Sequence, residues 1–173
     1  VVTGACDLTI LAPDPCPEAI KIAGTPIISI ANPNRVDALA SQAFGTGITA
    51  ATSGVAATFY IRARDLYSNS RSVGGDSFRV LLAGTQTMKL PAVDLSSGLY
   101  VVSYTPEYAG KYEAFIRFGD ALVHGKAYTL NITAGEIDGA QCTASGVGSE
   151  ATAGVLFSFG VQARDQYGSA RIS

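Results

Sequence analysis

The chain has 173 residues, 47% of them hydrophobic and 15% charged, with 12 Lys+Arg against 14 Asp+Glu for a formal net charge of −2. That apolar fraction is ample for one or two packed cores and argues against disorder. The balance of charge leaves no basic footprint for nucleic acid or an anionic membrane. No apolar run approaches the ~20 residues of a membrane-spanning helix, and a single histidine beside three cysteines excludes a His-rich zinc site.

In chain order, no signal-peptide pattern begins at Val1, a reading that a mature or excised segment would share. Cys6 and Cys16 flank Pro13-Asp14-Pro15 in what reads as a strand-to-strand connection. Pro33 restricts Asn32 and is expected to stiffen that stretch. Phe59, Ile61 and Ala63 then alternate with Tyr60, Arg62 and Arg64, the period of a half-buried strand. Phe78, Val80 and Leu82 continue with Arg79 outward, followed by Tyr100, Val102 and Tyr104, then Tyr112, Ala114, Ile116 and Phe118, then Tyr128, Leu130 and Ile132. Phe159, Val161 and Ala163 against Gln162 and Arg164 repeat the first alternation. Ser68-Asn69, Gly74-Gly75, Ser96-Ser97-Gly98, Thr105-Pro106, Ala109-Gly110 and Gly119-Asp120 punctuate these runs as turns. No window carries an amphipathic helix pattern, so the expected fold is all-β, an antiparallel immunoglobulin-like sandwich of about seven strands per ~100 residues.

The chain also resembles itself. Residues 54–71 read GVAATFYIRARDLYSNSR and residues 154–171 read GVLFSFGVQARDQYGSAR. Eight of these eighteen pairs are identical, where chance gives roughly one or two. Upstream the offset grows by one: Val36-Asp37 matches Ile137-Asp138, and Gly45 and Gly47 match Gly146 and Gly148. The expectation is tandem units, with residues 1–35 the C-terminal part of a preceding copy, 37–133 a complete copy and 138–173 the N-terminal part of the next, cut from a longer array. Ala134-Gly135-Glu136 is expected to be a more bendable joint than the one at Pro33.

The motifs resemble the filamin-type (actin-binding-protein) immunoglobulin-like repeat. The carriers are Gly54-Val55, then Phe59-Tyr60-Ile61-Arg62-Ala63-Arg64-Asp65-Leu66-Tyr67, then Val73-Gly74-Gly75-Asp76-Ser77-Phe78, and finally Gly98-Leu99-Tyr100-Val101-Val102-Ser103-Tyr104-Thr105-Pro106 running into Ala109-Gly110-Lys111-Tyr112. Asp94-Leu95-Ser96-Ser97 departs from the family's acidic Gly-rich turn, and Gly-Lys-Ala-Tyr at 125–128 from its Gly-Ser-Pro-Phe. The resemblance implies rod-like arrays that space or cross-link other proteins. It also implies a peptide groove between the third and fourth strands, residues 76–84 and 86–93, where a partner adds a strand. Leu82 and Met88 are the groove candidates, with core packing as the alternative for both.

Other residues are weighed singly. Asp65 closes a strand and is expected to accept backbone N–H bonds in the following turn. Tyr112 stands at the tyrosine-corner position of such sandwiches. His124 follows a hairpin and reads as a surface residue. Cys6 and Cys16 are close enough in sequence for a disulfide if their geometry agrees, and Cys142 reads as an isolated buried thiol. Asn131-Ile132-Thr133 is an N-glycosylation sequon. Together with low charge, these features lean toward an extracellular or cell-surface location, the cytoskeleton being the alternative.

No nucleophile–base pair or metal set is discernible, so no enzyme, no cofactor and no metal is expected. The expected function is a structural scaffold array whose partners are other proteins and neighbouring repeats, with no nucleic acid and no membrane insertion. The alternatives are an extracellular adhesion module, or a non-catalytic domain attached to an enzyme elsewhere in the chain.

Overall fold

A computed structural model describes residues 32–172. Strand β1 (Val36–Phe44) opens the fold, and a 3-10 turn at Thr46–Ile48 leads to β2 (Ala50–Thr52). There follow β3 (Ala57–Asp65), β4 (Phe78–Ala83), β5 (Met88–Pro91), β6 (Val93–Asp94), β7 (Leu99–Tyr104) and β8 (Gly110–Phe118). Next come β9 (Ala121–Leu122), a second 3-10 turn at Val123–Gly125, and β10 (Tyr128–Thr133). One sheet has the order β1-β3-β7-β6, and the other β2-β10-β8-β4-β5 with β9 beside β8. All pairs in the sandwich are antiparallel except β2 with β10, which run parallel.

The alternation in the sequence is the reason for the two layers. Phe59, Ile61 and Ala63 of β3 and Val102 of β7 are fully buried from one side; Leu82, Ala114, Ile116 and Leu130 meet them from the other. Each such large aliphatic or aromatic side chain contributes roughly 1.5–3 kcal/mol through removal from water. Edge-on ring contacts tighten the interior, Phe59 with Tyr104 within the first sheet at 6.3 Å and Phe78 with Tyr100 across the two layers at 4.9 Å. The Tyr112 hydroxyl donates to the Tyr108 carbonyl at 2.9 Å and accepts the Gln86 N–H at 3.2 Å, which is the corner expected of it. Tyr112→Phe is expected to lower stability by roughly 1–2 kcal/mol, read as a drop in the urea midpoint at unchanged m; an unchanged midpoint would remove the corner from the account.

β1 is interrupted by a bulge between Asp37 and Gln42. Ser41 repairs the gap: its hydroxyl donates to the Asp37 carbonyl at 2.7 Å and accepts the Arg64 N–H at 3.0 Å. Gly98 has a similar local cause. Its φ is +68°, and a Cβ there would meet the Arg71 carbonyl oxygen at 2.4 Å, in the turn whose own carbonyl accepts the Ala63 N–H.

Residues 137–172 contain a two-stranded sheet, β11 (Thr143–Ser145) with β12 (Gly160–Gln162). Its register is Thr143↔Gln162, Ala144↔Val161 and Ser145↔Gly160. The β1–β3 register is Gln42↔Arg62, Ala43↔Ile61 and Phe44↔Tyr60, the same pairs at the offsets of the sequence match. The bridge Ile137↔Asp165 repeats Val36↔Asp65, and Arg164↔Ala170 repeats Arg64↔Ser70. Burial does not follow: Phe59 is 0% exposed, Phe159 60%. Among the described residues no second sheet covers the Phe159 face.

Candidate functional site

The groove expected between the third and fourth strands is filled by the strands themselves. β4 and β5 are hydrogen-bonded, with Leu82 and Met88 directly paired. Leu82 is fully buried in the core, and Met88 is half-buried against it. Leu82 is therefore a core residue rather than a groove residue, because the pleat turns it inward beside Val80. Among the described residues the outer edge of β5 is unpaired; there Pro91 has no N–H to offer and Lys89 is exposed, two features that blunt an edge.

Asn131 lies on β10 with its side chain exposed, while Thr133 Oγ1 bonds the Ala51 carbonyl at 3.3 Å. His124 is exposed in the turn after β9, at φ +58°. Cys142 is half-buried, and its thiol donates to the Asp138 carbonyl at 3.2 Å, the place Ser41 takes on Asp37. Cys6 and Cys16 lie outside the described residues. Among the described residues no group of three or more His, Cys, Asp or Glu is placed to hold a metal ion, and no helix is long and apolar enough to cross a membrane.

Two outer-face features had no sequence signal. Phe44, Tyr60, Val101 and Val93 are successive register partners, forming an apolar row across all four strands of the first sheet, with the Phe44 and Tyr60 rings stacked at 5.7 Å. On the other sheet Arg79 and Arg117 stand directly opposite one another, beside Leu81 opposite Phe115. Like charges in that position repel. Both guanidinium groups turn to the β8–β9 hairpin: Arg79 donates to the Gly119 carbonyl and Arg117 to the Asp120 carbonyl.

The most heavily bonded polar groups are two aspartates. Asp65 Oδ1 accepts the N–H of Tyr67 at 3.0 Å and of Asn69 at 2.9 Å; its Oδ2 accepts the N–H of Asn34 at 3.0 Å. Asp165 Oδ1 accepts the N–H of Tyr167 at 3.0 Å and of Ser169 at 2.8 Å; its Oδ2 accepts the N–H of Gly135 at 3.0 Å. Both carboxyls are 1% exposed by residue. Burial acts to raise their pKa values, but the converging donors outweigh it and hold both below the ordinary aspartate value. Tyr100 and Tyr104 are pushed up to about 12, chiefly by burial.

Asp165 does more than close a turn, because it joins residues 137–172 to the sandwich. Ser53 Oγ, between β2 and β3, lies 2.7 Å from Asp165 Oδ2 and 2.7 Å from the Glu107 carbonyl. Its single proton goes preferentially to the charged acceptor. The Tyr108 and Tyr167 rings approach to 6.3 Å, and the Ala109 N–H donates to Ser169 Oγ at 3.0 Å. Gly135 is consequently not a loose hinge: its N–H is spent on Asp165, and a Cβ would sit 2.6 Å from the Ser53 carbonyl oxygen. Gly135→Ala is expected to accelerate exchange of the Tyr167 and Ser169 amides while sparing the core strands; unchanged exchange would show that the contact yields without cost.

A two-layer β-sandwich with immunoglobulin-like strand order is the class these observations define. Residues 35–129 match the family model of the Filamin/ABP280 repeat, more than half of the chain, and the chain belongs to that family. Over 101 residues it is 32% identical to the dynein alpha chain of the flagellar outer arm from Chlamydomonas reinhardtii, a match covering 53% of this chain and 2% of that protein. Among solved structures it is similar to the Escherichia coli adhesin FdeC, at TM-score 0.58 and 20% identity, covering 78% of this chain and 43% of that one. It is also similar to invasin, a bacterial integrin-binding protein, at TM-score 0.56 and 17% identity, covering 79% and 28%. The chain thus spans less than half the length of each of these proteins. At such identities the structural likeness is one of fold, and the family's fold is in general a non-catalytic structural one.

Proposed function

We propose that the chain is a non-enzymatic spacer and interaction segment of a tandem filamin-type array, with residues 37–133 one complete unit and 138–173 the beginning of the next. The observation that carries this reading is the register of β11 with β12, which reproduces β1 with β3 pair for pair. The duplicated aspartate turn and the Ser41/Cys142 equivalence support it. In such an array each unit holds its neighbours at a set distance, since stability resides within units and at their junctions. The turn at Asp65 and the seat at Ser53 lie at opposite ends of β3, about 30 Å apart for nine extended residues.

Single-molecule energy transfer between fluorophores placed at positions 35 and 136 through unnatural amino acids tests this. One narrow efficiency peak, unmoved by urea until the cooperative transition, is expected of a spacer. A broad peak that drifts with denaturant would overturn it.

Partners by strand addition belong to the free edge of β5, where Met88 and Leu90 face the core and Lys89 faces outward. A second reading, an extracellular recognition module, is favoured by the exposed Asn131 side chain in its sequon. Expression through a secretory pathway followed by N-glycosidase treatment tests it: a mass shift lost in Asn131→Gln supports that reading, and no shift removes it.

A further inference from the structure

The outer face of β4, β5 and β8 is built in rows that packing of the core does not require. Arg79 stands beside Arg117, the next row runs Lys89, Leu81 and Phe115, and the row after that reaches Glu113. Burial alternates along β4 and β8, so these side chains point away from the core. Leu81 and Phe115 stay partly exposed as an apolar floor, with Lys89 exposed at its edge. Two arginines directly opposite one another, about 5 Å apart at Cβ, repel. Each guanidinium is tied to the β8–β9 hairpin by one nitrogen, Arg79 Nη2 to the Gly119 carbonyl and Arg117 Nη1 to the Asp120 carbonyl. Both forks keep N–H groups for a further acceptor. Asp120 is a weak counter-ion, its exposed carboxylate reaching Arg79 only at 3.5 Å. Arg79, Leu81, Lys89, Phe115, Arg117 and Asp120 line one shallow depression.

We propose that this face binds an extended acidic peptide with alternate residues in the order acid, apolar, base. Its carboxylate is shared by Arg79 and Arg117, which turns their repulsion into a charge-assisted clamp. The side chain two residues on, about 6.7 Å along an extended chain, covers Leu81 and Phe115. The basic residue two further on meets Glu113. A sulfated polysaccharide fits less well, because Glu113 and Asp120 repel a continuous polyanion and the floor between the charges is apolar. The surface is separate from the β5 edge, and the inference does not need the tandem reading.

Amide NMR titration of the 173-residue chain with the acetylated, amidated peptide TDTLTKT tests it. Saturable shifts are expected at residues 79–82 and 113–118. The peptide TLDTTKT has the same composition but puts its acid and leucine on opposite sides of an extended chain, and is expected to bind about fivefold more weakly. Arg117→Gln and Arg79→Gln are each expected to weaken TDTLTKT binding about tenfold, as a charge-assisted bond is lost. Lys126→Gln, the same change of charge at an exposed position outside the face, should leave binding unaltered. Should Arg79→Gln disturb the hairpin it tethers, Leu81→Thr decides: it keeps a strand-forming residue, removes the apolar floor, and is expected to weaken binding about fivefold. No saturable shift, equal binding of the two peptides, or an equal loss in Lys126→Gln would overturn the proposal. So would tighter binding of a heparin octasaccharide at the same residues, or concentration-dependent shifts there without peptide, which would give the face to a sulfated glycan or to a second copy of the chain.

Discussion

Leu82→Asp is expected to abolish the cooperative unfolding transition of the central sandwich, whereas Met88→Asp should leave a folded protein with a lowered midpoint. Leu82 is 0% exposed between the sheets. Truncation there to alanine would already cost about 3 kcal/mol in lost transfer energy and cavity. An unpaired carboxylate in the same place costs several kcal/mol more, together comparable with the ~5–15 kcal/mol that hold a domain folded. Met88 sits on the edge strand, half-buried, and its side chain can turn toward solvent. Circular dichroism during a urea titration distinguishes the two. A folded Leu82→Asp variant would mean that β4 does not face the core as described.

Asp165→Ala is expected to release residues 137–172 from the sandwich without unfolding it. The substitution strands the N–H groups of Gly135, Tyr167 and Ser169, and leaves the Ser53 hydroxyl to the Glu107 carbonyl alone. Unsatisfied buried donors cost roughly 1–3 kcal/mol each, enough to outweigh one ring contact and one further hydrogen bond. Acid should imitate the mutation. The folded-state pKa of Asp165 lies below its ordinary value of 3.8, so the carboxylate's contribution is fully present above that value and is lost as pH falls through the lower, folded one. Exchange at Ala109 should therefore be flat from neutral pH to about 4, once corrected for intrinsic rates, and accelerate below that. Acceleration between pH 5 and 7 would point to a different group.

The sandwich was legible because alternation forces it. Phe59, Ile61 and Ala63 read as inward and are all at 0% exposure, and the Tyr112 corner follows from a turn and a tyrosine at fixed spacing. The pairing of β5 with β4 was less legible, since a four-residue strand ending in proline carries little periodicity; Leu82 is a groove candidate only through the family resemblance, and its alternative, core packing, is what the structure shows. At Phe159 the same alternation says inward, and the sheet that would oppose it is not among the described residues. The joint left almost no trace. Ser53 and Asp165 are separated by 112 positions, and neither residue type announces its partner; only the repeated Ala-Arg-Asp-x-Tyr stretch hinted that Asp165 mattered.

The most direct test is a chain in which residues 72–133 follow Arg171 a second time. If residues 137–171 begin the same sandwich, the added strands should close it. A second set of protected amides should then appear on β11, β12 and the appended segment, Phe159 should pass from a broad exposed environment to a buried one by NMR, and the total urea m-value should rise roughly in proportion to the newly buried surface. If the appended residues stay unprotected and Phe159 remains solvent-accessible, residues 137–172 are not the first part of a repeat, and the array account fails.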